Sequence, residues 1–243
     1  MRAILTYHSI DRSGSAISVS PETFRAHIAW LAHGDVRVVS LSELLALPSS
    51  ANAVAITFDD ALESLATEAA PLLASHGFPA TVFVVSQHVG GDNRWNGVTD
   101  PRIPVLPVLG WSALTRLQSQ GFSIGAHTRQ HRNLTRCSSA ELESEIAGSA
   151  DDIAGALGER PKSFAYPYGA FNQTVVAAAA RVFDIACTTE LKPLPLDAPR
   201  ELLPRLDAWH FKDASQLARW GTRSFTGWIA FRHALRRLRR MAS

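Results

Sequence analysis

The 243-residue chain is poor in cysteine, methionine and tyrosine, with two, two and three of each, and only 19% of it is charged. These scarcities exclude several kinds of protein. The two cysteines, Cys137 and Cys187, cannot make a disulfide framework or a thiolate zinc site and read as free thiols. No apolar run reaches the ~18 residues of a membrane-spanning helix. Low charge beside 46% apolar residues excludes a disordered chain and supplies a sizeable core. No internal repeat or low-complexity tract is present. The opening MRAILTYHSI is too short in uncharged residues for a signal-peptide core of about 7–15 residues, so a cytoplasmic chain that begins here is the expectation.

Acidic residues are missing altogether from positions 221–243, which carry six arginines (Arg223, Arg232, Arg236, Arg237, Arg239 and Arg240). The formal net charge is +2, so the first 220 residues are mildly acidic, which argues against a nucleic-acid-binding core. Two units are expected: a body over 1–220 and a basic amphipathic tail over 221–243. On a helix over 224–241, Phe225, Trp228, Phe231 (or Ile229), Leu235 and Leu238 fall near one face. Arg232, Arg236, Arg239 and Arg240 then fall opposite. That pattern suits an interfacial membrane segment, and equally a terminal helix packed on the body.

What the body has in quantity is alternation. Apolar, β-rich runs at 2–8, 35–41, 53–58, 79–85, 122–127, 163–167 and 184–189 read as strands buried on both faces. Helix candidates lie between them at 21–33, 61–76, 111–120, 138–157 and 172–182. Pro21 suits a first helical turn, and Ser138-x-x-Glu141 has the form of a capping box. The alternation predicts an α/β barrel or doubly wound sheet, with its site at the C-terminal ends of the strands. A long loop over 88–110 contains Trp95.

Chemistry-bearing residues cluster at those strand ends. Asp59 and Asp60 follow the strand AVAITF, where one carboxylate could bind a metal and its neighbour handle a proton; a helix cap is the plainer alternative. His127 and His131 are four apart and can converge on one ion across a turn. Adding Asp60 gives two histidines and a carboxylate, a common ligand triad for a catalytic divalent metal. Tyr168, between Pro167 and Gly169, sits in a turn able to present a backbone N–H to an oxyanion.

Taken in order, T-F-D-D (57–60), H-T-x-x-H (127–131) and F-A-Y-P-Y-G (164–169) resemble the polysaccharide deacetylase family, the NodB-homology or family 4 carbohydrate esterases, over roughly residues 3–210. The resemblance implies a deformed (β/α) barrel and one divalent metal, commonly zinc, held by Asp60, His127 and His131. It implies Asp59 as general base and the Tyr168 N–H as an oxyanion donor. The substrate implied is an acetylated amino-sugar glycan or, for a cytoplasmic enzyme touching the inner membrane face through 224–241, a lipid-linked precursor.

Three positions depart from the family pattern. Ala165 stands where an arginine often pairs with the base, and Arg205 is the candidate replacement. No Leu-x-x-His element follows Trp209; Leu5–Ile10 instead resembles a branch with permuted motif order, which makes His8 the general acid. Ala61 replaces the usual glycine, a change expected to alter only the local turn. By the same resemblance Trp209 and Asp207 wall the acetyl pocket, while Trp95 and Trp111 are candidates to stack on sugar. The competing readings are a deformylase or cyclic-amide hydrolase on the same fold and a non-catalytic glycan-binding relative. A serine hydrolase built on Gly121-x-Ser123-x-Gly125 is disfavoured, because Ser123 falls inside a strand and not on a strand-to-helix turn.

Overall fold

The structure is a computed structural model that describes residues 1–97 and 100–241. In chain order the strands are β1 (Arg2–Tyr7), β2 (Ser9–Ile10), β3 (Ser18–Val19), β4 (Arg37–Val38), β5 (Ala53–Phe58), β6 (Ala80–Val84), β7 (Ser123–Ala126), β8 (Ser163–Ala165), β9 (Ile185–Cys187) and β10 (Leu206–Asp207). The helices are α1 (Pro21–His33), α2 (Leu41–Ala46), α3 (Ala70–Ser75, entered through a π turn), α4 (Trp111–Ser119), α5 (Ser139–Leu157), α6 (Gln173–Ala180) and α7 (Arg223–Met241).

The apolar runs form strands because both of their faces are covered: every residue of β1, β5 and β6 is buried. The strands pair in parallel in the order β10-β1-β5-β6-β7-β8-β9, with β4 on the start of β5. The result is the deformed (β/α) barrel. Its last stave is a segment absent from the sequence-based strand assignment. Leu203 pairs with Cys187 of β9, and Leu206 pairs with Leu5 of β1. Residues 203–207 therefore bridge the two edges of the curled sheet, with Arg205 between the two points of attachment.

Helix boundaries follow capping chemistry. Ser20 caps α1 with Pro21 in its first turn, and Ser138 and Glu141 close the expected capping box on α5. The strand expected over 35–41 is cut to Arg37–Val38. Its end was overwritten by a second capping box, in which Ser40 accepts from Glu43 N–H at 3.2 Å and Glu43 accepts from Ser40 N–H at 2.8 Å, starting α2. The helix expected from 61 begins only at Leu65, since the chain first turns through Asp60 and Ala61 in left-handed conformations.

The C-terminal helix forms where expected, but its faces are rotated from the sequence reading. Phe225 and Ile229 are buried, whereas Phe231 and Leu238 are 62% and 58% exposed. Arg232 and Arg236 turn towards the body. Arg232 Nη2 donates to His210 Nδ1 at 2.9 Å and lies over the Trp228 ring. Burial lowers the His210 imidazole to about 4 despite Asp207, with Arg236 and Arg232 adding to the effect, so the ring stays neutral and can accept that bond. Arg236 lines a cavity of the body. The reason for the rotation is local: Ile229 fits the hydrophobic cluster that holds Phe211 and Phe225, and His210 offers an acceptor to Arg232. The side chains of Arg239 and Arg240 lie outside the described ones.

Candidate active site

The site is assembled on the C-terminal ends of β1, β5, β7 and β8. Asp59 continues β5, its N–H donating to Tyr7 O at 2.9 Å. His127 continues β7, its N–H donating to Val84 O at 2.8 Å. Past these points the backbone leaves the ladder abruptly. All the non-glycine residues with positive φ among the described residues lie here: Asp60 (68°), Ala61 (50°), Thr128 (67°), His131 (56°) and Tyr168 (60°). Each such residue costs on the order of 1 kcal/mol or more, and clusters of this kind mark functional sites.

The ligating atoms of Asp60, His127 and His131 lie within 4.8 Å of one another, and all three residues are buried. Asp60 Oδ1 is 3.6 Å from His127 Nε2 and 3.5 Å from His131 Nε2. His127 Nδ1 is 2.7 Å from Ala165 O, a pure acceptor, so Nδ1 carries a hydrogen and the ring is fixed with Nε2 turned towards Asp60 and His131. Asp60 Oδ1 and His131 Nδ1 are buried without hydrogen-bond partners. A buried carboxylate oxygen with no donor is a site that a cation satisfies, and the donor set suits a divalent one. The electrostatics agree. Burial holds the Asp60 carboxyl above its ordinary range despite His8 and His127 nearby, with Asp59 adding to the rise. Burial, with His127 adding to it, keeps His131 well below its ordinary value and therefore neutral.

Asp59 is the opposite case. Burial would raise its carboxyl, but the Arg205 guanidinium outweighs that by charge and hydrogen bonding and holds it well below the usual carboxylate range. The pairing is bidentate: Nη1 to Oδ1 at 2.6 Å and Nη2 to Oδ2 at 2.7 Å. Arg205 is itself 1% exposed, fixed by donation to Thr188 O at 2.9 Å and Thr6 Oγ1 at 3.0 Å. The closing segment 203–207 thus delivers the guanidinium that Ala165 does not provide. His8, one residue past β1, places Nε2 3.7 Å from Asp59 Oδ2.

These groups open on a cavity of about 310 Å³ lined by His8, Asp59, Asp60, His127, His131, Trp95, Tyr168 and others. Trp95 packs against His131 with ring centroids 4.8 Å apart, and Tyr168 meets the same imidazole at 4.6 Å. Both aromatics therefore brace a candidate ligand as well as walling the pocket. Asp207 and Trp209 are not among the lining residues. The Asp207 carboxylate caps the Trp209 N–H at 3.0 Å, and the Trp209 indole donates to Ser15 O at 3.1 Å, bracing the loop that gives Ile17 to the pocket. The structure thus places these two candidate acetyl-pocket residues beside the cavity's loop and not in its lining. Trp111 is half-buried against the core, away from the cavity.

Sequence reading missed Glu145. It is 4% exposed on α5, and its Oε2 accepts from Arg129 N–H at 3.1 Å and Gln130 N–H at 3.0 Å. With Thr128 Oγ1 accepting from His131 N–H at 2.9 Å, it fixes the turn that brings His131 back over His127. The available signal was a charged residue on the apolar stripe of an otherwise regular helix. Ile17, Asn93, Arg94, Ile103 and Val105 also line the cavity without any motif to mark them.

The polysaccharide deacetylase family profile matches residues 46–182, more than half of the chain. YxkH of Bacillus subtilis (strain 168), assigned by its name to the same family, is 26% identical over 193 residues, covering 77% of this chain and 64% of that protein. The poly-beta-1,6-N-acetyl-D-glucosamine N-deacetylase of Staphylococcus aureus (strain MRSA252) is 27% identical over 168 residues, covering 64% of this chain and 55% of that protein. The chain thus spans less than two thirds of the length of either relative. Among solved structures, the Streptococcus pyogenes deacetylase PplD superposes with a TM-score of 0.71 at 22% identity, covering 84% of this chain and 91% of that one. IcaB from Ammonifex degensii superposes at 0.70 and 23% identity, covering 88% and 95%. These two likenesses establish the fold, and the profile match shows that the chain belongs to the polysaccharide deacetylase family.

Proposed function

We propose that the protein is a metal-dependent N-deacetylase acting on acetylated amino sugars of a polysaccharide or of its lipid-linked precursor. One observation carries this reading: an arginine-clamped, ionised Asp59 sits beside three converging ligand atoms with a histidine within reach of the same carboxylate. Asp60, His127 and His131 are the residues that would hold the ion, with zinc the expected species given two imidazoles and a carboxylate. A divalent ion there would polarise the acyl carbonyl and lower the pKa of a water molecule towards ~7.

The chain's own groups supply the proton traffic. Asp59 accepts the proton of the attacking water. Arg205 fixes the carboxylate in one orientation and keeps it charged. A carboxylate so stabilised does not retain the proton, and His8, 3.7 Å away, is placed to deliver one to the departing amine. This role for His8 is the one held by the first-strand histidine in a permuted motif order. The Tyr168 N–H, set by its left-handed turn, is the proposed oxyanion donor. Trp95 and Tyr168 wall the acetylated sugar. All of these groups belong to residues 1–220, which we assign as the catalytic body.

The test is acetate release from N-acetylglucosamine oligomers, followed by mass spectrometry before and after chelation and metal return. We expect release by the untreated enzyme, its loss on chelation and recovery with Zn²⁺. Release that a chelator leaves unchanged, with the metal verified as gone, would overturn the metal-dependent reading.

A further inference from the structure

The turn that brings His131 back over His127 is gripped by a row of residues on α5. Ser144, Gly148 and Asp152 are spaced four apart and so share one face of that helix. The Arg129 side chain lies along this row. Its Nε donates to Asp152 Oδ2 at 2.8 Å and its Nη2 to Asp152 Oδ1 at 2.7 Å, a two-pronged pairing, while Nη1 donates to Ser144 Oγ at 3.2 Å. Ser86, just past β6, donates its hydroxyl to the same Asp152 Oδ2 at 2.7 Å and its N–H to Thr128 O at 3.1 Å. One carboxylate on α5 thus ties together the chain after β6 and the 128–131 turn.

Gly148 is the floor of this slot. It lies in the middle of α5, where glycine is the poorest choice after proline. A Cβ there would stand 2.5 Å from Arg129 Cζ, 2.6 Å from Nε and 2.7 Å from Nη1. The guanidinium rests flat against the bare backbone, and any side chain at 148 would lift it off Asp152. What the slot holds in place is strained backbone. Thr128 and His131, on either side of Arg129, have φ of 67° and 56°, values that side-chain-bearing residues adopt only when their surroundings enforce them.

We infer that Arg129, Gly148 and Asp152 form a positioning lock for His131, and that the open space above Gly148 sets how tightly the chain holds its metal. The inference rests on the metal-site reading above. The lock is separate from the Glu145 carboxylate, which takes the Arg129 and Gln130 amides and not the guanidinium. Arg129 is not among the residues lining the catalytic cavity, so it acts through His131 and not on the substrate.

Gly148→Ala and Arg129→Ala, singly and together in the full chain, test the inference, with Zn²⁺ affinity read by competition against a fluorescent chelator. Alanine is the better helix former, so Gly148→Ala should keep α5 intact, which circular dichroism checks. Each single variant should bind Zn²⁺ about tenfold more weakly, as loss of a partner that orients a ligand does. The double variant should stay within about twofold of Arg129→Ala, since the added methyl has no guanidinium left to displace. Unchanged affinity in either single variant, or losses that multiply in the double one, overturns the inference. A second readout needs no metal. In the Zn²⁺-free chain, amide hydrogen exchange over 128–131 should quicken in both single variants while the barrel strands keep their protection, a pattern that general destabilisation would not give. Unchanged exchange over 128–131 also overturns it. A wild type that binds no Zn²⁺, with exchange responding as expected, would leave the lock on the turn standing and sink the metal-dependent reading.

Discussion

The rim of the barrel and the C-terminal helix both bring arginine to the active-site end of the molecule, yet they are held there by different means. At the rim, Arg205 is locked in the barrel wall by two hydrogen bonds to Asp59 and further bonds to Thr6 and Thr188. The neighbouring turns are strained, with residues 60, 61, 128, 131 and 168 in left-handed conformations that the surrounding structure enforces. On α7 the backbone is regular, Phe225 and Ile229 are the buried side chains among the described ones, and Arg232 and Arg236 reach the body from a surface helix. Changes at the rim should therefore be felt in chemistry. Changes in the helix should be felt in stability.

The sharpest division is expected at Asp59. Asp59→Asn keeps the shape of the side chain but removes its ability to accept a proton, and kcat should fall by about 10²–10⁴-fold. Metal content by plasma mass spectrometry should stay equal to wild type, because the ligand set does not include this residue. A mutant retaining more than about a tenth of the wild-type rate would remove Asp59 from the role of base.

Removing the helix should reverse the pattern. A chain ending at Gly221 exposes the surface that Phe225 and Ile229 cover, including the stacking of Phe225 on Phe211 at 5.8 Å. Two large apolar side chains contribute about 1.5–3 kcal/mol each. At about 2–4 °C per kcal/mol for a protein of this size, melting should drop by roughly 6–24 °C. The folded remainder should still hydrolyse an activated acetate ester at a rate near that of the full chain. Melting unchanged by the truncation would show that α7 is an appendage and not part of the core.

Glu145 tests whether the rim depends on support from outside it. Glu145→Gln leaves one acceptor oxygen but loses the charge that holds the Arg129 and Gln130 amides. Loss of a group that positions a metal ligand typically weakens metal affinity by about 10–100-fold. Competition with a fluorescent zinc chelator would measure this, and an unchanged affinity would mean that the His131 turn does not depend on Glu145.

The same contrast explains what the sequence could disclose. The carboxylate pair and the H-x-x-x-H spacing translated directly into geometry, because each sits within a few residues of a buried strand end whose direction the ladder fixes. Arg205 could be named but not placed, since its position depends on residues 203–207 bridging strands far away in sequence. Asp207 and Trp209 sit near it in the chain, yet their side chains point to a helix cap and to Ser15. For α7 the helical period was plain, but a period does not say which arc is inside. Arg232 and Arg236 face inward because His210 and the cavity beside Glu190 are there to receive them, and no local pattern records that. Glu145 escaped notice for a similar reason, as its two partners lie on a different loop.

The smallest effect should come from Ala61, where the family pattern has glycine. Its φ is 50°, in the region that costs a residue with a Cβ about 1–2 kcal/mol. Glycine would remove that strain. It would also enlarge the freedom of the unfolded chain, at about 0.4–1 kcal/mol, and delete a methyl group that is 0% exposed, at about 0.8 kcal/mol. The terms nearly cancel, so Ala61→Gly should shift stability by less than about 1 kcal/mol in either direction, as read by urea denaturation. Ala61 O also accepts from Leu109 N–H at 2.9 Å, a bond that ties the 59–61 turn to the loop carrying Trp95 and that glycine preserves. Metal content and turnover should accordingly stay within about twofold of wild type. A loss above about 2 kcal/mol would mean that the buried methyl, and not the strained backbone, governs this turn. The left-handed pair at Asp60 and Ala61 would then be held by packing, as α7 is, and the distinction between the two regions would fail at the residue where they should differ most.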